Sequence, residues 1–161
     1  MKEIILQNTL LLAAYDELSP ADRQLVDAAR QATSTSYAPY SQFCVGAALR
    51  LADGVVVTGS NQENAAYTNG ICAERSAIFA AQSQYPDQPV VSIAIAAYTH
   101  GSFTRQPVSP CGACRQVMVE IENRYQQPIR ILLYGTDGTY VISDGIQVLM
   151  PLLFSADDLN G

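Results

Sequence analysis

At 161 residues the chain is long enough to bury one sizeable core and too short for two ordinary domains without a visible linker. Apolar residues make up 48% and charged residues 15%, with eight prolines spread along the chain, which excludes a disordered or collagen-like protein. Nine Lys and Arg against fifteen Asp and Glu leave a net charge of -6 and no basic run, which argues against a polynucleotide partner and suits a small neutral ligand.

The first stretch, "MKEIILQNTLLLAAYDEL", reads as a helical N-terminal extension over about 1–18 of a single domain spanning 1–161. Glu3, Gln7 and Asn8 interrupt its apolar residues, so it is not read as a signal peptide. No stretch approaches the roughly 18 continuous apolar residues of a membrane span. A cytoplasmic location is the default expectation, and there the four cysteines are reduced thiols or metal ligands before they are disulfides.

Ser19, Pro20 and Asp22 form a helix start, with a side-chain acceptor at the cap, proline at the first helical position and a carboxylate in the first turn; residues 20–34 follow as helix. After "SYAPYSQ" come "FCVGAALRL" and "VVVTGSN", two β-prone runs joined as a hairpin through Ala52, Asp53 and Gly54. A second helix runs from "ICAERSAI" to near Gln84, and "VVSIAIAAY" (90–98) is apolar enough for a strand covered on both faces. A polar loop from His100 to Pro110 leads into a third helix, "CGACRQVMVEIENRY", with Val117, Ile121 and Tyr125 at four-residue spacing. "IRILLYG" and "TYVIS" give two more strands, and "IQVLMPLLF" with "SADDL" ends the chain in helical turns. The order, αββαβαββα, is that of one layered α/β domain.

Two helices begin with cysteine: Cys72 opens the second, and Cys111 and Cys114 open the third in "SPCGACRQV". A thiol at a helix N-terminus feels the positive end of the dipole, which favours the metal-binding thiolate. Cys111 and Cys114 are spaced to converge on one ion, for which Zn²⁺ is the usual choice. With Cys72 they make three ligands, the number of a catalytic zinc that keeps its fourth position for water. Cys44, among small and apolar neighbours in "FCVGAAL", reads as a buried small hydrophobe. Glu74, two residues past Cys72, is placed to act as the acid-base group beside that open position.

"CAE" followed by "PCGAC" matches the zinc-deaminase signature of ligand-x-Glu and Pro-Cys-x-x-Cys. With "YAPYSQFCVGAAL", "GSNQENAAY", "ICAERSAI" and "SPCGACRQV", the stretch from about Tyr37 to Phe154 resembles the homotetrameric, three-cysteine cytidine deaminases. The resemblance implies a three-layer α-β-α fold with a central mixed five-stranded sheet. It implies hydrolytic deamination of cytidine and 2′-deoxycytidine to the uridines, with release of ammonia. On this resemblance Cys72, Cys111 and Cys114 hold one Zn²⁺ per chain. Glu74 takes a proton from the attacking water, delivers it to N3 of the pyrimidine and helps to protonate the departing amine. Arg75 donates to a ligand sulfur and offsets thiolate charge; Arg115, beside Cys114, is a second candidate for that task. Asn61 and Glu63 are the expected ribose contacts, backbone near Ala65 and at Ser109 and Pro110 reads the base, and Phe43 stacks on the pyrimidine. Tyr67 and Phe154 fall at positions by which one subunit completes another's pocket in a homotetramer. His100, the one histidine, is not a ligand in this reading.

Three other readings remain at this point. A dithiol oxidoreductase also uses Cys-x-x-Cys, although it needs neither Cys72 nor Glu74. A structural zinc module would use Cys44 as the fourth ligand. A deaminase of another aminated heterocycle, such as a blasticidin-type nucleoside, shares the short cysteine signature.

Overall fold

The computed structural model describes residues 1–160. The chain runs β1 (Leu11–Ala13), α1 (Pro20–Ala32), β2 (Cys44–Leu51), β3 (Val56–Ser60), α2 (Ala73–Gln84), β4 (Val90–Thr99), β5 (Ser102–Phe103), α3 (Gly112–Tyr125), β6 (Arg130–Gly135), β7 (Gly138–Ile142) and α4 (Asp157–Asn160). Helix α1 starts where its signal places it: the Ser19 hydroxyl accepts the Asp22 N–H at 3.1 Å and Pro20 opens the first turn. The strands form one mixed sheet in the order β1-β7-β6-β4-β2-β3, with β5 paired to β4. β4 and β6 are parallel and the other pairs antiparallel.

The sheet has seven strands, not the expected five. The five are β2, β3, β4, β6 and β7; the additions are the short β1 and β5. Residues 1–18 do not form the expected helical extension. Residues 1–10 have no regular structure, Leu11–Ala13 is strand and Tyr15–Glu17 a single 3-10 turn. Ile4, Ile5 and Leu6 are exposed, so no apolar face is buried to support a helix there. The edge of β7 offers pairing instead, taking Leu11 opposite Val141 and Ala13 opposite Thr139, which covers a row of backbone groups otherwise left open.

Side-chain alternation separates two core layers. Ala48 of β2, Ala94 and Ala96 of β4 and Leu132 of β6 pack with Leu25, Val26 and Ala29 of α1. Their neighbours Ala47, Leu49, Ile93, Ile95, Ile131 and Leu133 face α2 and α3. The α1 side of β2 and β4 is lined by small residues, and a Cβ at Gly46 would lie 2.1 Å from the Ala29 carbonyl oxygen; the helix sits this close because glycine is there. Asp22, 6% exposed, ties α1 to β6 through both nitrogens offered by Arg130, at 3.3 and 3.0 Å. The α3 face differs slightly from its expected stripe: Cys114, Met118, Val119 and Ile121 are buried, with Val117 and Tyr125 at the margin.

β3 and β4 are both antiparallel to β2 and so run in the same direction. α2 follows β3, and α3 follows β4 with its short hairpin partner β5. Both helices cross the same face of the sheet and therefore begin at the same edge, where the strands end. A Cβ at Gly59 would meet the Ala77 nitrogen at 2.4 Å, so α2 lies directly on β3. At the far ends of the helices the Tyr125 hydroxyl donates to the Pro86 carbonyl at 2.7 Å and Arg124 to Gln82 at 2.7 Å. Among the described residues no helix is long and apolar enough to cross a membrane.

Candidate active site

The shared starting edge of α2 and α3 brings their cysteines together. Cys72 is the N-cap of α2, Cys111 the N-cap of α3, and Cys114 lies in the first turn of α3. Cys72 Sγ is 3.7 Å from Cys111 Sγ, which is 3.5 Å from Cys114 Sγ, and all three lie within 4.8 Å of one another. Ligands at about 2.3 Å in tetrahedral geometry stand about 3.8 Å apart, so the trio fits one Zn²⁺ per chain. Three thiols leave a fourth tetrahedral position, as in catalytic rather than structural sites.

Cys72 and Cys114 hold protons unequally. Hydrogen bonding from the Cys114 thiol, with further donation from Arg75 and Cys111, holds Cys72 down at about 5. Cys114 is correspondingly pushed up, by its hydrogen bond to Cys72 and by burial. The group thus carries a thiolate with a guanidinium beside it: Arg75 reaches back from the first turn of α2 to donate from Nη2 to Cys72 Sγ at 3.7 Å. That contact raises Arg75 further above its ordinary value. Three thiolates around a divalent ion would leave one negative charge in excess, and the Arg75 guanidinium lies beside one of those sulfurs.

Glu74 is 5% exposed. Burial pushes its carboxyl above the usual value, and the negative charge at Cys72 adds to the effect. A buried carboxyl that holds its proton more readily than usual suits a group that must take a proton and return it. Glu74 opens on a cavity of about 430 Å³ lined also by Ser41, Phe43, Val45, Cys72, Ser109 and Cys111, within the range of ~300–1,000 Å³ common for small-molecule sites. Its walls are largely apolar near Phe43, Val45 and Ile95, which suits a flat ring.

Asn61 and Cys72 line both this cavity and a second one of about 360 Å³, where Tyr40, Glu63, Tyr67 and Arg75 gather. Asn61 lies just past β3, and its amide is mostly committed within the chain. Its Oδ1 accepts the Val45 N–H at 2.7 Å and the Ser36 hydroxyl, and its Nδ2 donates to the Phe43 carbonyl at 2.9 Å. Glu63 Oε2 accepts the N–H groups of Tyr40 and Ser41 at 2.8 and 3.3 Å; hydrogen bonding to Ser41, then to the backbone of this turn, lowers its carboxyl. Ala65 is exposed. Tyr67 is 80% exposed and stands edge-on to Tyr40, and Phe154 is 54% exposed with its carbonyl held by Gln116 at 2.8 Å. The lining of the Glu74 cavity includes none of these last three.

Cys44 is only half-buried, not the fully buried hydrophobe expected. It alternates with Val45 and Ala47, which face α2 and α3, and so lies on the opposite face of β2, outside the thiol cluster. This removes the four-cysteine module. His100, at φ 51°, and Gly101, at φ 82°, make the tight turn between β4 and β5. The Arg115 guanidinium donates to the Pro110 and Leu149 carbonyls, not to sulfur. The roles of Tyr40, Ser41 and Ser36 as supports for Glu63 and Asn61 escaped sequence reading. The one legible signal was Ser41 two residues before Phe43, whose N–H its hydroxyl accepts at 3.1 Å, a local serine turn.

A family model described as the cytidine and deoxycytidylate deaminase zinc-binding region matches residues 19–126. The chain is 44% identical over 140 residues to the cytidine deaminase of Halalkalibacterium halodurans, covering 86% of this chain and 98% of that protein. It is 39% identical over 137 residues to the cytidine deaminase of Sporosarcina psychrophila, covering 85% and 93%. Among solved structures, the cytidine deaminase of Burkholderia pseudomallei superposes with a TM-score of 0.69 at 40% identity, covering 81% of this chain and 97% of that one.

Proposed function

The chain belongs to the cytidine and deoxycytidylate deaminase family, and from that membership we propose that it hydrolyses cytidine and 2′-deoxycytidine to uridine and 2′-deoxyuridine. The observation that carries the reading is a buried carboxyl, Glu74, beside three convergent thiols on a ring-sized cavity. The reaction adds water at C4 of the pyrimidine and breaks the C4–N4 bond, releasing ammonia. A Zn²⁺ held by Cys72, Cys111 and Cys114 supplies, when bound, the Lewis acidity that makes water nucleophilic near neutral pH.

Glu74 accepts the proton that the attacking water gives up, passes it to N3 and later helps protonate the leaving amine. Phe43 packs on the face of the pyrimidine, and the backbone at Ser109 and Pro110 reads its edge. Glu63 meets the ribose through the oxygen not used by Tyr40 and Ser41, and Asn61 offers the Nδ2 hydrogen not taken by Phe43. Arg75 balances the thiolate charge. The backbone near Ala65 joins Ser109 and Pro110 in reading the base, while Tyr67 and Phe154 serve a neighbouring subunit's pocket in a homotetramer, which their exposure supports. Residues 1–161 act as one catalytic domain, in the cytoplasm, where unpaired thiols persist.

An ultraviolet assay with cytidine, deoxycytidine and a blasticidin-type nucleoside tests the substrate. Turnover of the first two is expected. Turnover of the third alone would overturn the assignment.

A further inference from the structure

We propose that Arg115 is a positioning residue for Cys111, clamping the backbone that aims this thiol at the metal position. Cys111 is exposed and sits at the N-cap of α3 without a side-chain cap. Its backbone angles, φ -67° and ψ 166°, fix the direction of its Cα–Cβ bond and so the positions that a side-chain rotamer can give the sulfur. Those angles are set by the two peptide planes on either side of its Cα, and Arg115 holds both. Its backbone N–H donates to the Cys111 carbonyl at 3.0 Å, and its side-chain Nε donates to the Pro110 carbonyl at 2.9 Å.

The guanidinium is itself fixed. Its Nη1 donates to the Leu149 carbonyl at 2.6 Å, the last residue of the 3-10 turn Ile146–Leu149. The start of that turn is held by Glu122, whose Oε1 accepts the Ile146 N–H at 2.9 Å. Pro110 is buried, so its carbonyl has little access to water in place of this bond. Arg115 thus makes the C-terminal segment the fixed support against which Cys111 is oriented. This differs from Arg75, which acts on sulfur directly. A planar fork reaches two carbonyls at once, which the single ammonium of lysine does less well.

The inference rests on the zinc reading above, and the experiment separates the two. Zinc-loaded wild type, Arg115→Met, Arg115→Lys and Gln116→Ala are mixed with a chromogenic chelator and the release of metal is timed, with circular dichroism to establish that each is folded. Loss of a residue supporting a ligand typically weakens metal binding by about 10–100-fold. Release from Arg115→Met is expected to accelerate on that scale and from Arg115→Lys by less. Gln116→Ala, which cuts only the bond to the Phe154 carbonyl, should release zinc as wild type does. Wild-type release from Arg115→Met overturns the clamp, as does acceleration in Gln116→Ala equal to that of Arg115→Met. Should Arg115→Met not fold, Arg115→Lys decides, and wild-type release from it overturns the proposal. A wild type that takes up no zinc contradicts the zinc reading itself.

Discussion

Replacing Asn61 by alanine separates the wall that this side chain builds from the ribose contact proposed for it. The amide takes the Val45 N–H and the Ser36 hydroxyl on one oxygen and gives a hydrogen to the Phe43 carbonyl. Alanine leaves the N–H of Val45 and the carbonyl of Phe43 without these partners, at the strand start that forms the cavity wall. A fully buried orphan costs about 1–3 kcal/mol. Both groups are half-buried, so the low end applies and the total is about 2–3 kcal/mol. In a chain of this size that corresponds to a fall in Tm of about 4–12 °C. Asn61→Asp keeps the acceptor but sets a carboxylate against the Phe43 carbonyl, and it too should melt early. Thermal melting of zinc-loaded proteins, alongside KM for cytidine, makes the measurement. An unchanged Tm with a raised KM in Asn61→Ala would refute the reasoning, because the residue would then be a ligand contact with no part in building the wall.

Two further outcomes follow from the charged groups. In zinc-free protein, Arg75→Gln removes one of the donors that hold Cys72 at about 5; alkylation of Cys72 at about pH 6, mapped by mass spectrometry, should slow, and only partly because Cys114 is the larger cause. An unchanged pH profile would contradict this. Glu122 is raised by burial, so its contribution to stability is complete below the ordinary carboxyl value and is lost as pH rises through the raised one. Both N–H groups that it holds, from Ile129 and Ile146, go to Oε1, and a glutamine can accept both. Glu122→Gln should melt at or above the wild-type temperature at about pH 8, with the advantage shrinking toward pH 4; early melting at the higher pH would count against it.

Most of the layered fold was legible because its signals are local. The Ser19-Pro20 start, the hairpin through Asp53-Gly54 and the apolar run of β4 each announce an element without help from the rest of the chain. β1 was not legible, since its stability comes from the open edge of β7, a partner more than a hundred residues away. β5 was missed for a similar reason: two residues suffice once His100 and Gly101 turn the chain back. At the candidate site, the Cys-x-Glu and Cys-x-x-Cys spacings named the cluster that the shared starting edge of α2 and α3 assembles. What spacing did not reveal was support through backbone atoms. Asn61 holding Phe43, Glu63 holding Tyr40, and Arg115 holding Pro110 are all side chains bonded to the main chain of another segment. Such bonds leave no periodicity or motif in the sequence.

On the function proposed above, Glu74 moves the protons of a zinc-assisted deamination. Its most direct test is uridine and ammonia release from cytidine by zinc-loaded wild type and Glu74→Ala, with metal content determined on both. One zinc per chain is expected in each protein, with turnover by wild type and a loss of about 10²–10⁴-fold in kcat for the variant. A variant that keeps its zinc and deaminates cytidine at the wild-type rate would contradict it.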